Sequence, residues 1–131
     1  MPHFVVDCSQ GVLEIHNEES IIARLHRVAS CSGLFEESDI KVRILPFRIY
    51  AVGGGREDFI HTFAWIMQGR SVEQRAALSK AIVNELAEMF PLLPRIAANI
   101  AEFEQATYFN RAMMQLPGPR MAPLGMPIGT D

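Results

Sequence analysis

DFIHTFAWIMQGRSVEQR, residues 58–75, passes from one kind of local order to another within a few residues. Its first half is the most apolar run of the chain, rich in aromatic and β-branched residues, and reads as a strand. Its second half opens a helix. Ser71 followed three residues later by Gln74 is a capping box, in which each side chain satisfies an orphan N–H group at the other's position. Beyond the cap, Leu78, Ile82, Leu86 and Met89 recur at helical spacing and predict one buried stripe. Pro91 and Pro94 stop that helix. RIAANIAEF (95–103) then offers a further short strand or a helical turn.

Working back toward the start, the same order recurs. HFVVDC (3–8) reads as a strand, and SQGVLE, with the breaker Gly11, as a connection. NEESIIARLHRVASCSG (17–33) has helical spacing, with Ile21, Ile22, Leu25, Val28 and Ala29 on one stripe. Asn17 caps it, Glu18 and Glu19 suit its positive end, and Gly33 suits its stop. IKVRILPFRIYAV (40–52) reads as a long strand whose Pro46 demands a sheet edge or a bulge. Gly53–Gly55 reads as a turn, and a tight return across GGGRE predicts that this strand and the one after it are antiparallel neighbours.

The spacing ties the two halves together. Phe4 precedes the Asn17 cap by thirteen residues and Phe59 precedes the Ser71 cap by twelve. Two β-α-β units without sequence identity follow, about 2–52 and 58–105. They predict an α/β fold (an α+β sandwich): a four-stranded mixed sheet with both helices on one face. One domain would span 1–112. The Pro- and Gly-rich stretch 113–131 would be a tail that wraps over a surface or stays loose. The uncovered sheet face, carrying apolar residues such as Phe59, Phe63 and Trp65 or their alternates, calls for self-association.

Composition narrows the function. A net charge of −3 gives no field for nucleic acid, and no basic tail or spanning apolar run points to a membrane. With no signal peptide in view, the expected compartment is the cytoplasm. Cys8 and Cys31 form no zinc pattern, and two buried thiols are the plainer reading. His16, His26 and His61 lack metal-ligand spacing, and neither GVLEIHN nor GGGRED makes a nucleotide loop. No metal or cofactor is expected.

Pro2 is the residue with unusual chemistry. If Met1 is removed, its nitrogen becomes a secondary amine held rigid by its ring. Burial and nearby cations favour the neutral form, which can accept a proton. If Met1 stays, that nitrogen is a tertiary amide with no lone pair to offer. Pro2 is small, so removal is the expectation. Lys41 and Arg43 lie two apart on one face of their strand. Arg70 sits at the loop before the second helix, beside its free N–H groups, and its planar fork suits a carboxylate. His3 points away from Phe4, and Asp58 caps a turn.

MPHFVVDC, IKVRILPF, DFIHTFAWIMQGRSVEQR and RIAANIAEFEQATYFN together resemble the 5-carboxymethyl-2-hydroxymuconate isomerases of the tautomerase superfamily, from Met1 to about Asn110. The resemblance implies a homotrimer without metal or cofactor, acting on a small carboxylate-bearing dienol or enol. It implies that Pro2 is the general base, that Arg43 and Arg70 are catalytic, and that Lys41, Arg43 and Arg70 bind substrate. Lys41 stands where arginine is usual, and keeps the charge without the bidentate fork. The implied reaction takes the 2-hydroxyl proton to Pro2 and returns a proton to a distant carbon, giving the 2-oxo-3-ene isomer in aromatic-acid degradation. Alternatives are a tautomerase, hydratase or dehalogenase of another carboxylate, or a trimeric binding protein without activity.

Overall fold

The computed structural model describes residues 1–114; the expected tail beyond Met114 lies outside them. Four strands, β1 (His3–Ser9), β2 (Lys41–Phe47), β3 (Ile60–Met67) and β4 (Ile96–Phe103), alternate with two helices, α1 (Glu18–Cys31) and α2 (Val72–Met89). The strands form one mixed sheet in the order β2-β1-β3-β4. β1 pairs with β2 in parallel and with β3 antiparallel, and β3 pairs with β4 in parallel. Each β-α-β unit is thus a parallel pair joined by its helix, and the two units meet at β1 and β3.

The helix ends follow local chemistry. The Asn17 side chain accepts from the Ser20 N–H at 2.8 Å, and Ser71 and Gln74 close the expected box. Gly33, just past α1, has φ +76°, a conformation that side-chain-bearing residues rarely adopt. Ile21, Leu25 and Ala29 of α1 and Leu78, Ile82, Leu86 and Met89 of α2 are buried. They pack on Phe4, Val6 and Cys8 of β1 and on Ile60 and Ala64 of β3. Arg24 bridges the helices through Glu85 and Glu88, with Arg27 also on Glu85. No helix among the described residues is long and apolar enough to cross a membrane.

Three expectations need correction. β2 and β3 are not neighbours, because β1 lies between them. The glycine turn closes only on itself, through the reciprocal Val52–Gly55 pair at 2.9 Å, within a connection that carries the chain past β1. The strand expected to run from 40 to 52 ends at Phe47; Pro46 lies in it near that end, on a sheet edge as its missing N–H requires. Only one thiol is buried: Cys8 lies in the core, whereas Cys31, on the last turn of α1, is exposed.

Strand alternation divides the sheet cleanly. Phe4, Val6 and Cys8 face the helices, while His3, Val5 and Asp7 face the other way. β3 repeats the pattern, with His61, Phe63 and Trp65 on the face that no helix covers. There the His61 ring stacks on Phe63 at 4.2 Å, and Phe63 lies parallel to Trp65 at 6.1 Å.

Candidate active site

Pro2 is buried at the entrance to the central strand β1. Its carbonyl accepts from the Lys41 N–H at 3.1 Å, so the parallel ladder with β2 reaches the very start of the chain. Beside it opens a cavity of about 340 Å³, lined by Met1, Pro2, Phe35, Asp39, Met67 and Arg70, and closed on one side by Tyr108 and Asn110 from the turns after β4. A larger groove, about 620 Å³, lies between α1 and α2 near Cys31 and Glu85, away from every residue expected to do chemistry.

Arg70 reaches this cavity because the chain turns sharply between β3 and α2, where Gly69 has φ +121°. The guanidinium is pinned: Nη2 donates to the Leu34 carbonyl at 2.6 Å and Nη1 to the Met67 carbonyl at 3.2 Å. Its carbon sits 5.2 Å from the centre of the Phe35 ring, within cation–π range. An arginine held by two carbonyls and an aromatic face has little orientation left to lose on meeting an anion.

Lys41 and Arg43 occupy different ground. Register sets Lys41 opposite His3 and Arg43 opposite Val5, so both share the sheet face that Pro2 and Phe4 turn away from. Arg43 Nη1 lies 3.1 Å from His3 Nδ1, and Lys41 Nζ donates to the Asp39 carbonyl at 2.8 Å. The structure therefore brings together Pro2 and Arg70, and does not bring Lys41 or Arg43 to the cavity lining.

At the cavity the Met1 ammonium stands 3.6 Å from Asp39 Oδ2. Burial lowers the pKa of that terminal amine, and the charges of Lys41 and Arg70 push the same way, against the opposing pull of Asp39. An amine here is biased toward its neutral form. With Met1 attached, however, the Pro2 nitrogen is acylated and cannot take a proton.

Phe35, Asp39, Tyr108 and Asn110 were not singled out by sequence reasoning. Asp39 stands in the acidic run FEESD, which reads as a solvated stretch; its spacing two before Lys41 was the available signal. Other candidates have structural roles. Asp58 accepts from the Ser9 hydroxyl at 2.7 Å, and that oxygen in turn accepts from the Phe59 N–H, tying the end of β1 to the start of β3. His16 contacts the Met89 carbonyl at 2.9 Å at the end of α2. Burial pushes the Cys8 thiol up to about 11, which makes it an inert core residue.

Comparison with known proteins matches this architecture. The sequence model of the family described as 5-carboxymethyl-2-hydroxymuconate isomerase covers residues 2–112. A 5-carboxymethyl-2-hydroxymuconate Delta-isomerase of Escherichia coli is 26% identical over 109 residues, which is 80% of this chain and 86% of that protein. The crystal structure of a 5-carboxymethyl-2-hydroxymuconate isomerase from Deinococcus radiodurans R1 superposes with a TM-score of 0.74 at 23% identity, covering 84% of this chain and 88% of that one. A member of the cis-3-chloroacrylic acid dehalogenase family shares the fold with a TM-score of 0.68 at 16% identity, over 89% and 85% of the two chains.

Proposed function

The chain belongs to the 5-carboxymethyl-2-hydroxymuconate isomerase family of the tautomerase superfamily, and on that premise we propose that it isomerises 5-carboxymethyl-2-hydroxymuconate or a similar 2-hydroxydienoate. Tautomerase chemistry, a proton shift within a small carboxylate-bearing substrate, is the activity its family membership supports. The observation that carries the finer reading is the cavity shared by Pro2 and Arg70.

In this reading Met1 is removed and the freed Pro2 nitrogen is the base. It takes the proton of the 2-hydroxyl group, electrons shift along the conjugated system, and the proton is returned to a distant carbon. The product is the 2-oxo-3-ene isomer, with every atom of the substrate retained. Negative charge grows on the C2 oxygen during transfer, so a cation directed there stabilises the transition state more than the ground state. Arg70, pinned at the cavity, serves either that oxygen or the adjacent carboxylate. Lys41 and Arg43 would act from the open sheet face, as charges presented to a neighbouring copy. Three copies packed through the faces carrying Phe63 and Trp65 would bury that apolar surface and make this possible.

A second reading is favoured by one observation: among the three proposed cations, Arg70 alone lines the cavity of a single subunit. A substrate with one carboxylate, such as a phenylpyruvate-like enol, needs no more than that. Absorbance assays of 5-carboxymethyl-2-hydroxymuconate beside a one-carboxylate enol such as that of phenylpyruvate separate the two. Faster turnover of the carboxymethyl substrate is expected, and equal turnover of both would remove the 5-carboxymethyl assignment.

A further inference from the structure

Among the described residues lining the Pro2 cavity, Asp39 is the one carboxylate, and no part of the isomerisation described above uses it. Its place is well determined. It closes the short 3-10 turn Glu37–Asp39, its N–H donates to the Glu36 carbonyl at 3.0 Å, and its own carbonyl accepts from Lys41 Nζ. Two residues on, the Lys41 N–H bonds to the Pro2 carbonyl. A single pairing at the start of β2 therefore locks Asp39 and Pro2 relative to each other.

The Asp39 carboxylate already faces a chain-terminal amine, that of Met1, at 3.6 Å. Consecutive Cα atoms are only about 3.8 Å apart, so removal of Met1 moves the amine by no more than one such step. Met1 is bonded to the Pro2 nitrogen at one end and paired with Asp39 at the other, so it is the residue that joins the two. We propose that Asp39 is the counter-charge of the mature Pro2 amine, a positioning residue that holds it toward the cavity and decides the pH at which it can take a proton. The proposal rests on Pro2 being the base in the reading above.

The charges around the amine make the role specific. At the Met1 amine, burial disfavours the protonated form, Lys41 and Arg70 act the same way, and Asp39 opposes them; the Pro2 amine would inherit these neighbours. Left to burial and the two cations the nitrogen would be neutral but a weak base, and a weak base transfers protons poorly. Asp39 acts in the opposite sense and restores basicity. The other groups nearby are accounted for. Tyr108 lines the cavity from the turns after β4, Glu37 is turned to His26 at 3.0 Å, and His3 lies across the sheet with Arg43.

The test is the titration of the Pro2 nitrogen, followed by 15N NMR in the chain beginning at Pro2, with intact mass confirming loss of Met1. Asp39→Asn should move the midpoint down by roughly half a pH unit, in keeping with a half-exposed carboxylate. Lys41→Met should move it up. The acidic limb of kcat/KM should follow the NMR midpoint in both variants, and 1 M salt should shrink both displacements. A midpoint in Asp39→Asn that stays at the wild-type value, or rises, overturns the proposal. The two readings fail separately. An inactive protein whose nitrogen still follows Asp39 removes the reaction and keeps the pairing, whereas an active one whose nitrogen ignores Asp39 removes the pairing alone.

Discussion

Arg43 Nη1 lies 3.1 Å from His3 Nδ1, across the parallel pair that begins the sheet. A guanidinium has only protons to offer, so it donates and the Nδ1 lone pair accepts. His3 is therefore neutral, with its proton on Nε2. Its pKa is lowered by burial first and then by the charges of Arg43 and Lys41.

The first prediction follows from the sign of that shift. A histidine whose folded pKa lies below its unfolded value binds its proton less readily in the folded state. Stability should hold above the ordinary histidine range and fall as the pH drops from about 6.5 toward the lowered value. Urea unfolding at fixed protein concentration from pH 8 to pH 5 measures this. His3→Gln should flatten the slope across that interval, and a wild-type slope in the variant would assign the acid sensitivity to another group.

In a chain freed of Met1, as proposed, Pro2→Ala would replace a rigid secondary amine with a freer primary one at the same address. Turnover should fall by roughly 10²–10⁴-fold, the usual worth of a positioned proton-transfer group, while the far-ultraviolet dichroism stays unchanged. A protein in which Met1 is retained should be inactive, because its proline nitrogen is an amide. Steady-state rates equal to wild type in either form would place proton transfer elsewhere.

Arg70→Ala removes a charge from the cavity and leaves the Leu34 and Met67 carbonyls without their donor. If Arg70 holds the substrate as proposed, loss of its charged hydrogen bonds predicts a fall in kcat/KM of about 10–100-fold. Arg70→Lys should recover part of this, since it keeps the charge but cannot reach both carbonyls and substrate. Unaltered kcat and KM in the alanine variant would take Arg70 out of the site.

Thr62 offers a test of the core rather than of the site. Its hydroxyl is fully buried between β3 and the helices with no hydrogen-bond partner among the described residues. Thr62→Val keeps the shape and removes the unmet polar group, and should stabilise the fold by about 1 kcal/mol in denaturant titration. A destabilised variant would mean that the hydroxyl is satisfied in the folded core, for example by a bound water.

The parts of this fold that could be read from the sequence are those decided within a few residues. The Asn17 and Ser71 caps, the stop at Gly33 and the stripe from Leu78 to Met89 are local chemistry, and each has its structural counterpart. Strand order is different in kind. That β1 would sit between β2 and β3 depends on pairings across the whole chain, and Gly53–Gly55 looked like a hairpin because a self-closing turn uses the same residues. Site geometry divides in the same way. Alternation set Lys41 and Arg43 on a common face, but only the pairing of Lys41 with His3 reveals that Pro2 turns to the other one. Asp39 escaped notice because only its spacing from Lys41 sets it apart from the acids before it.

The entry of the chain directly into the middle of the sheet has a practical side. Met1 already lines the cavity, so anything joined ahead of it must leave through that opening. A purification handle or fusion partner at this end would crowd the cavity and keep Met1, and with it the amide at Pro2, in place. If the Pro2 amine is the base, recombinant protein prepared that way would look well folded and still say nothing about catalysis.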